Sequence, residues 1–299
     1  MRGHRRYWFI AVVLVPIVSS AGARAQSDPI ASTAHEPTIR FKRLKLDKPL
    51  PDGKMARGQR NIAAAWFTNP TARYRHFALG AEHEPETLVV LTPDRRVFRL
   101  SLRPDSVFED REPRLADVDG DGCDEVIVVR LYLKAGAALA IVAPPGGRLE
   151  IIAETPPIGQ PFRWLNPAGV GDFDGDGHPD IALVRMPHIA GELEVWTMKN
   201  GNLAQTISSG DVSNHAAGSR HFKLSAVADF NGDGIADLAI PPFDRRALRF
   251  LSLTGGRLTE FARIALPAVA AEDFRLVEND GRPAVAVGLN GGRSVVIEP

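Results

Sequence analysis

The chain has 299 residues, 44% of them hydrophobic, and balances 36 Lys and Arg against 36 Asp and Glu. Zero net charge argues against a nucleic-acid surface, and a single cysteine, Cys123, excludes an internal disulfide framework. A chain of this length can bury a full core without such staples.

Residues 1–25 read as a secretory signal. Arg2, Arg5 and Arg6 give a positive start, 8–18 an apolar stretch, and Ala23, Arg24 and Ala25 a small-residue cleavage site. The stretch is too short to span a membrane comfortably, so no span is expected after signal removal. The mature protein is expected to be exported, to the periplasm or beyond. A linker over 26–37 precedes one repetitive domain over 38–299.

That domain opens with an alternating apolar segment at 38–46 that has no partner of its own. Five units of strand-like segments follow. The first predicts strands over 61–67, 75–80, 86–91 and 96–102, and the second over 114–118, 125–130, 137–143 and 148–154. The third predicts 168–173, 180–185, 192–198 and 203–208, and the fourth 225–230, 237–241, 247–253 and 257–264. The fifth has three strands only, 270–274, 283–288 and 294–298. Units of this period imply a propeller or a solenoid. The expected fold is all-β, a β-propeller of five four-stranded blades, closed by the N-terminal segment 38–46 as the fourth strand of the last blade.

Units two to four each join their first two strands by the same acidic loop. Its first residues are Asp117, Asp172 and Asp229, spaced by 55 and then 57 residues. The loops place oxygens at positions 1, 3, 5 and 9: Asp117, Asp119, Asp121 and Glu125; Asp172, Asp174, Asp176 and Asp180; Asp229, Asn231, Asp233 and Asp237. Carboxylates at this density repel one another unless a cation or solvent offsets the repulsion, and Ca²⁺ accepts six to eight oxygens. The backbone carbonyls of Cys123, His178 and Ile235 supply position 7. Glycines at positions 4 and 6 let the chain fold tightly. About three calcium sites are therefore expected. Asp-Gly pairs also make plain hairpin turns, which is the competing reading of any one loop. An EF-hand is excluded, because position 12 is Val128, Leu183 or Ile240 rather than Glu, and a buried strand follows each loop. By ligand charge alone the third site, with Asn231, is expected to be weakest. In unit one 68–71 replaces the acidic loop, and in unit five Arg275 follows Asp273 at position 3, so neither is expected to bind metal.

The three segments 116–128, 171–183 and 228–240 resemble FG-GAP/VCBS repeats, known from the β-propeller of integrin α subunits and from many exported bacterial proteins. The resemblance implies that each loop joins the first and second strands of a blade and holds Ca²⁺ through the residues named above. Family propellers often have seven blades, whereas the units here count to five.

The chain contains no Ser nucleophile elbow, His-Glu-x-x-His motif or phosphate-binding glycine loop. The expected function is an exported, calcium-binding, non-catalytic scaffold for binding or adhesion, with a protein or glycan as ligand. The alternative is a carbohydrate-active enzyme, a polysaccharide lyase or hydrolase, on the same frame. The expected ligand face lies opposite the acidic loops and includes Arg163, Trp164, His188, His215, Arg220 and His221. There, Phe162 and Trp164 have a competing role as packing beneath a blade junction.

Overall fold

In the computed structural model, residues 46–143 and 147–299 are described. The expected signal, the linker and all of 38–46 but Leu46 lie outside them.

Five antiparallel sheets follow one another along the chain. Sheet 1 is β1 (Ala56–Arg57), β2 (Ala64–Thr71), β3 (Glu84–Leu91) and β4 (Val97–Ser101). In sheet 2, β5 (Ser106–Phe108) and β6 (Arg114–Ala116) share one edge of β7 (Glu125–Tyr132), followed by β8 (Gly136–Ala143) and β9 (Glu150–Glu154). Sheet 3 is β10 (Leu165–Gly171), β11 (Asp180–Arg185), β12 (Glu192–Lys199) and β13 (Asn202–Ser209). Sheet 4 is β14 (Ala226–Ala228), β15 (Asp237–Ile240), β16 (Ala247–Ser252) and β17 (Thr259–Ala265). Among the described residues sheet 5 has three strands, β18 (Ala270–Asn279), β19 (Arg282–Leu289) and β20 (Arg293–Ile297). Among the described residues no helix is long and apolar enough to cross a membrane.

The uninterrupted apolar runs after the acidic loops are explained by packing on both faces. Ile127, Val129 and Leu131 of β7 face sheet 3 with Ile181, Leu183 and Trp196, while Val126 and Val128 face Phe67, Leu88 and Val90 of sheet 1. Strand β11 repeats the arrangement, with Ala182 and Val184 turned towards Leu238, Ile240 and Leu251 of sheet 4. Ala239, Leu248 and Phe250 then meet Val285, Val287 and Leu289 of sheet 5. Side chains alternate in direction along a strand, so each central strand joins two cores. An ion pair between Lys54, just before β1, and Asp273 in β18 (3.2 Å) links the first and last sheets.

Three expectations need correction. In unit one 61–67 is not the first strand, because it feeds β2, and 75–80 is not a strand but part of the long β2–β3 loop. Pro70, expected in the loop segment 68–71, lies inside β2. Strand β1 reaches only Ala64 and Ala65, so the N–H that proline lacks has no β1 partner to lose. The segment between the first two strands of sheet 1 is therefore 58–63, not 68–71. In unit two the inner strand is broken, with β5 preceding the expected segment. In unit five β18 runs straight through the place of an acidic loop and turns at Asp280 and Gly281, both in the left-handed region (φ 46° and 77°).

Candidate metal centres and the opposite face

The three acidic loops share one hydrogen-bond scaffold. The first carboxylate accepts both glycine N–H groups: Asp117 from Gly120 and Gly122 (2.8 and 3.0 Å), Asp172 from Gly175 and Gly177 (2.8 and 2.9 Å), Asp229 from Gly232 and Gly234 (2.7 and 2.9 Å). All six glycines are left-handed, with φ between 77° and 89°, a region that strains other residues. Position 5 accepts the N–H of position 7, as in Asp121 from Cys123 (2.7 Å), Asp176 from His178 (2.9 Å) and Asp233 from Ile235 (2.9 Å). The position 9 carboxylates Glu125, Asp180 and Asp237 are buried beneath the loops and accept the N–H of Val118, Phe173 and Phe230.

In the first loop Asp117, Asp119 and Glu125 bring carboxylate oxygens within 4.8 Å of one another, and in the second Asp172, Asp174 and Asp180 do the same. Oxygens bound to one Ca²⁺ at about 2.4 Å each lie no more than about 5 Å apart, so both triads fit one such ion. Asp121 and Asp176 stand outside these triads. In the third loop Asn231 replaces one carboxylate, and its amide nitrogen is turned towards Asp237 (3.4 Å). Without a cation, burial pushes Glu125 up to about 7 and Asp237 up to about 6, with the neighbouring carboxylates adding to the effect; burial also raises Asp180. The loops adjoin one another: the His178 ring lies over Gly120, Ile235 lies over Gly175, and Ala236 N–H donates to the Asp172 carbonyl (3.2 Å). Cys123 is exposed, and the Asp121 charge beside it holds its thiol protonated.

Sheet 1 contributes two residues that sequence reasoning missed. Arg60 bonds Asp117 (3.0 Å) and lies 3.4 Å from Asp124, while Asn61 exchanges two hydrogen bonds with the Asp124 backbone. Nothing in the sequence ties 58–63 to a loop some sixty residues away. Arg60 competes with a cation for Asp117. Half-exposed and screened, it is expected to weaken the first site only moderately. Arg60→Ala should tighten divalent-cation binding there by about three- to tenfold in calorimetric titration. Unchanged affinity would mean that the guanidinium swings clear at no cost.

On the opposite side the expected ligand residues do come together, but mostly as interior. Trp164 is buried, donates its indole N–H to the Glu109 carbonyl (2.8 Å) and packs on His188 and His215 at ring separations of 5.7 and 5.0 Å. His215 is fully buried and stacks on Phe222 (5.0 Å). Its Nε2 donates to the Ser219 carbonyl (3.1 Å), so Nδ1 accepts from His188 Nε2 (2.6 Å) and both rings are neutral. Arg163 is half-buried, Arg220 is exposed, and His221 accepts the Asp273 N–H (3.3 Å). The covering comes from the β2–β3 loop, which crosses from sheet 1. Gly218 N–H donates to the Ala78 carbonyl (2.9 Å), and a Cβ on Gly80 would meet the Gly218 carbonyl oxygen at 2.5 Å. In that loop His76 bonds the fully buried Glu109 (2.7 Å), and Tyr74 stacks on Phe162 (5.1 Å). A cavity of about 350 Å³ lies where β6, β10 and β14 meet, with Arg114, Lys223 and Phe274 at its wall.

Burial lowers His188 to about 4 and His215 to about 3. Folded values below the unfolded 6.5 mean that their contribution is intact above about pH 6.5 and lost as pH falls towards the folded values. Between about pH 7 and pH 4.5, the parent should lose about 2–3 kcal/mol more in urea unfolding than His188→Gln, the buried acids acting alike in both proteins. Equal losses in both proteins would exclude the pair as the cause.

Comparison with known proteins gives two matches to the FG-GAP-like repeat, over residues 117–183 and 172–240. No curated protein sequence matches the chain. Among solved structures, similarity extends to the rhamnogalacturonan lyase YesW (14% identity, TM-score 0.42, covering 71% of this chain and 44% of that one). It extends also to a rhamnogalacturonan lyase of Bacillus licheniformis (14%, TM-score 0.43, 70% and 49%) and to Sqt1 of Saccharomyces cerevisiae (11%, TM-score 0.45, 72% and 54%). The chain spans about half the length of these structures.

Proposed function

We propose that this chain, which carries FG-GAP-like repeats over 117–183 and 172–240, is an exported, calcium-stabilised, five-bladed β-propeller that serves as a non-catalytic binding scaffold. The observation that carries this reading is the same hydrogen-bond scaffold in three loops, two of which converge three carboxylates. Calcium would be held by Asp117, Asp119 and Glu125, by Asp172, Asp174 and Asp180, and by Asp229, Asn231 and Asp237. Asp121, Asp176, Asp233 and the carbonyls of Cys123, His178 and Ile235 would complete the sets. Bound there, a divalent cation neutralises acids that otherwise repel and fixes the turn between the first two strands of each blade. The Lys54–Asp273 pair supports closure of the ring. The segment 38–46 would supply the fourth strand of sheet 5, and 1–25 would direct export to the periplasm or beyond. The ligand would be a protein or a glycan rather than nucleic acid.

A carbohydrate-active enzyme is the second reading. It is favoured by the His76–Glu109 pair, in which a buried carboxylate orients an imidazole as in many general bases. Against it, the two cations at the wall of the cavity of about 350 Å³ are each ion-paired, Arg114 with Asp110 and Lys223 with Glu112, and no acid lines that cavity. Equilibrium dialysis with Ca²⁺ tests the scaffold reading. About three ions per chain, with one fewer in Asp172→Ala, is the expected result; no bound calcium would remove its basis.

A further inference from the structure

We infer that the cavity where β6, β10 and β14 meet is a binding site for a small carboxylate with a compact apolar body. The inference goes beyond the scaffold reading and does not rest on calcium. The cavity holds about 350 Å³ and opens between the inner strands of sheets 2, 3 and 4. Leu115, Val170 and Val227 each bring one aliphatic side chain to it from a different strand, and Phe222 and Phe274 add two aromatic rings. The three aliphatic residues stand two positions before Asp117, Asp172 and Asp229, so the repeat itself builds this wall. All three are only half-buried, whereas Ile127 and Ile181, which also line the cavity, are buried. An apolar occupant completes the burial that these side chains lack.

Charge defines the other end of the ligand. The charged side chains at the wall are two cations, Arg114 and Lys223, and no Asp, Glu, Asn or Gln lines it. A sugar, whose hydroxyls need such partners, is poorly served there. Both cations are held by acids from outside the wall, yet neither is saturated. Asp110 accepts from Arg114 Nη1 (2.7 Å) and also from the N–H groups of Arg111 and Val129 (2.8 and 3.0 Å). Nε and Nη2 of Arg114 have no hydrogen-bond partner among the described residues. The Lys223 ammonium bonds Glu112 alone among them (2.9 Å) and is about half exposed. A carboxylate can therefore join these cations without breaking either pair, in charge-assisted hydrogen bonds. Arg114 opens β6 and Lys223 precedes β14, which puts both at the end remote from the acidic loops. The carboxylate thus sits on that side, and the apolar body enters between the strands. A mostly apolar cavity of at least about 300 Å³ with a few placed polar groups is the usual make-up of a small-molecule site.

The test is calorimetric titration of the protein with phenylbutyrate, its amide and galacturonate. Phenylbutyrate should bind at about 1 mM or tighter, and the other two at least about tenfold more weakly. Lys223→Met, at a half-exposed position, should hold the parent's melting temperature and cut the preference for carboxylate over amide by about three- to tenfold. Leu115→Trp, which fills the cavity, should abolish binding; if it fails to fold, Lys223→Met alone decides. No binding of phenylbutyrate, or an unchanged preference in Lys223→Met, overturns the site. An amide that binds as well as the acid overturns anion recognition, and tighter binding of galacturonate overturns the apolar body. Bound calcium with no heat from phenylbutyrate would sink this inference and leave the scaffold reading standing, and the opposite pair of results would do the reverse.

Discussion

Chelating calcium should lower the melting temperature of the protein by about 10 °C for each site that was saturated. An ion that binds only the folded chain at about 1,000 times its dissociation constant contributes about 4 kcal/mol. In a domain of this size each kcal/mol moves the midpoint by about 2–4 °C. The second loop should contribute most. It has three converging carboxylates, with neither the competing Arg60 of the first loop nor the amide of Asn231 in the third. Asp172→Ala should therefore remove the largest single share of the shift, and Mg²⁺, which demands tighter octahedral geometry, should restore little. Equal melting curves in EGTA and in calcium would reduce the acidic loops to solvated turns.

Arg111→Met should destabilise the protein by about 3–5 kcal/mol in urea unfolding. Arg111 is buried in the break between β5 and β6. It bonds Glu84 (2.8 Å) and the carbonyls of His83 and Asp110 (2.9 and 3.0 Å), and its Nε is ion-paired with Asp52 at 3.2 Å. Burial pushes the Glu84 carboxyl up, and the guanidinium pulls it back; removing Arg111 leaves burial unopposed. Adding Glu84→Gln to Arg111→Met should recover a substantial part of the loss, because the stranded acid is then gone. A single variant as stable as the parent would show that water reaches Glu84.

The parts of this fold legible in the sequence are those whose cause is local. Asp172 to Asp180 announces a turn by its own chemistry, and the run Ile181 to Val184 announces a strand buried on both faces. The inner strand of sheet 2 is legible in the sequence from 114 onward only, without β5. Glu109, Asp110 and Arg111 look like a solvated charge run, yet they are buried with partners from sheet 1 that the local sequence does not reveal. The misplacement of unit one has a similar origin, since Pro70 is tolerated by pairing rather than by propensity. At the opposite face the sequence groups Trp164, His188 and His215 and allows packing for Trp164, but it does not reveal the burial of His215 or the half-burial of His188. Their covering depends on a loop some eighty residues before Phe162, whose Tyr74 hydroxyl accepts the Phe162 N–H (2.9 Å).

The bridge between Lys54 and Asp273 joins residues 219 apart in sequence, and Arg220 reaches Gly80 across 140. Contacts of that span can form only after nearly the whole chain is available, and closing such long loops slows folding. The first sheet is thus the earliest to be made and among the last to be finished. Loss of β18 would therefore also strip Lys54, near the other end of the chain, of its ionic partner.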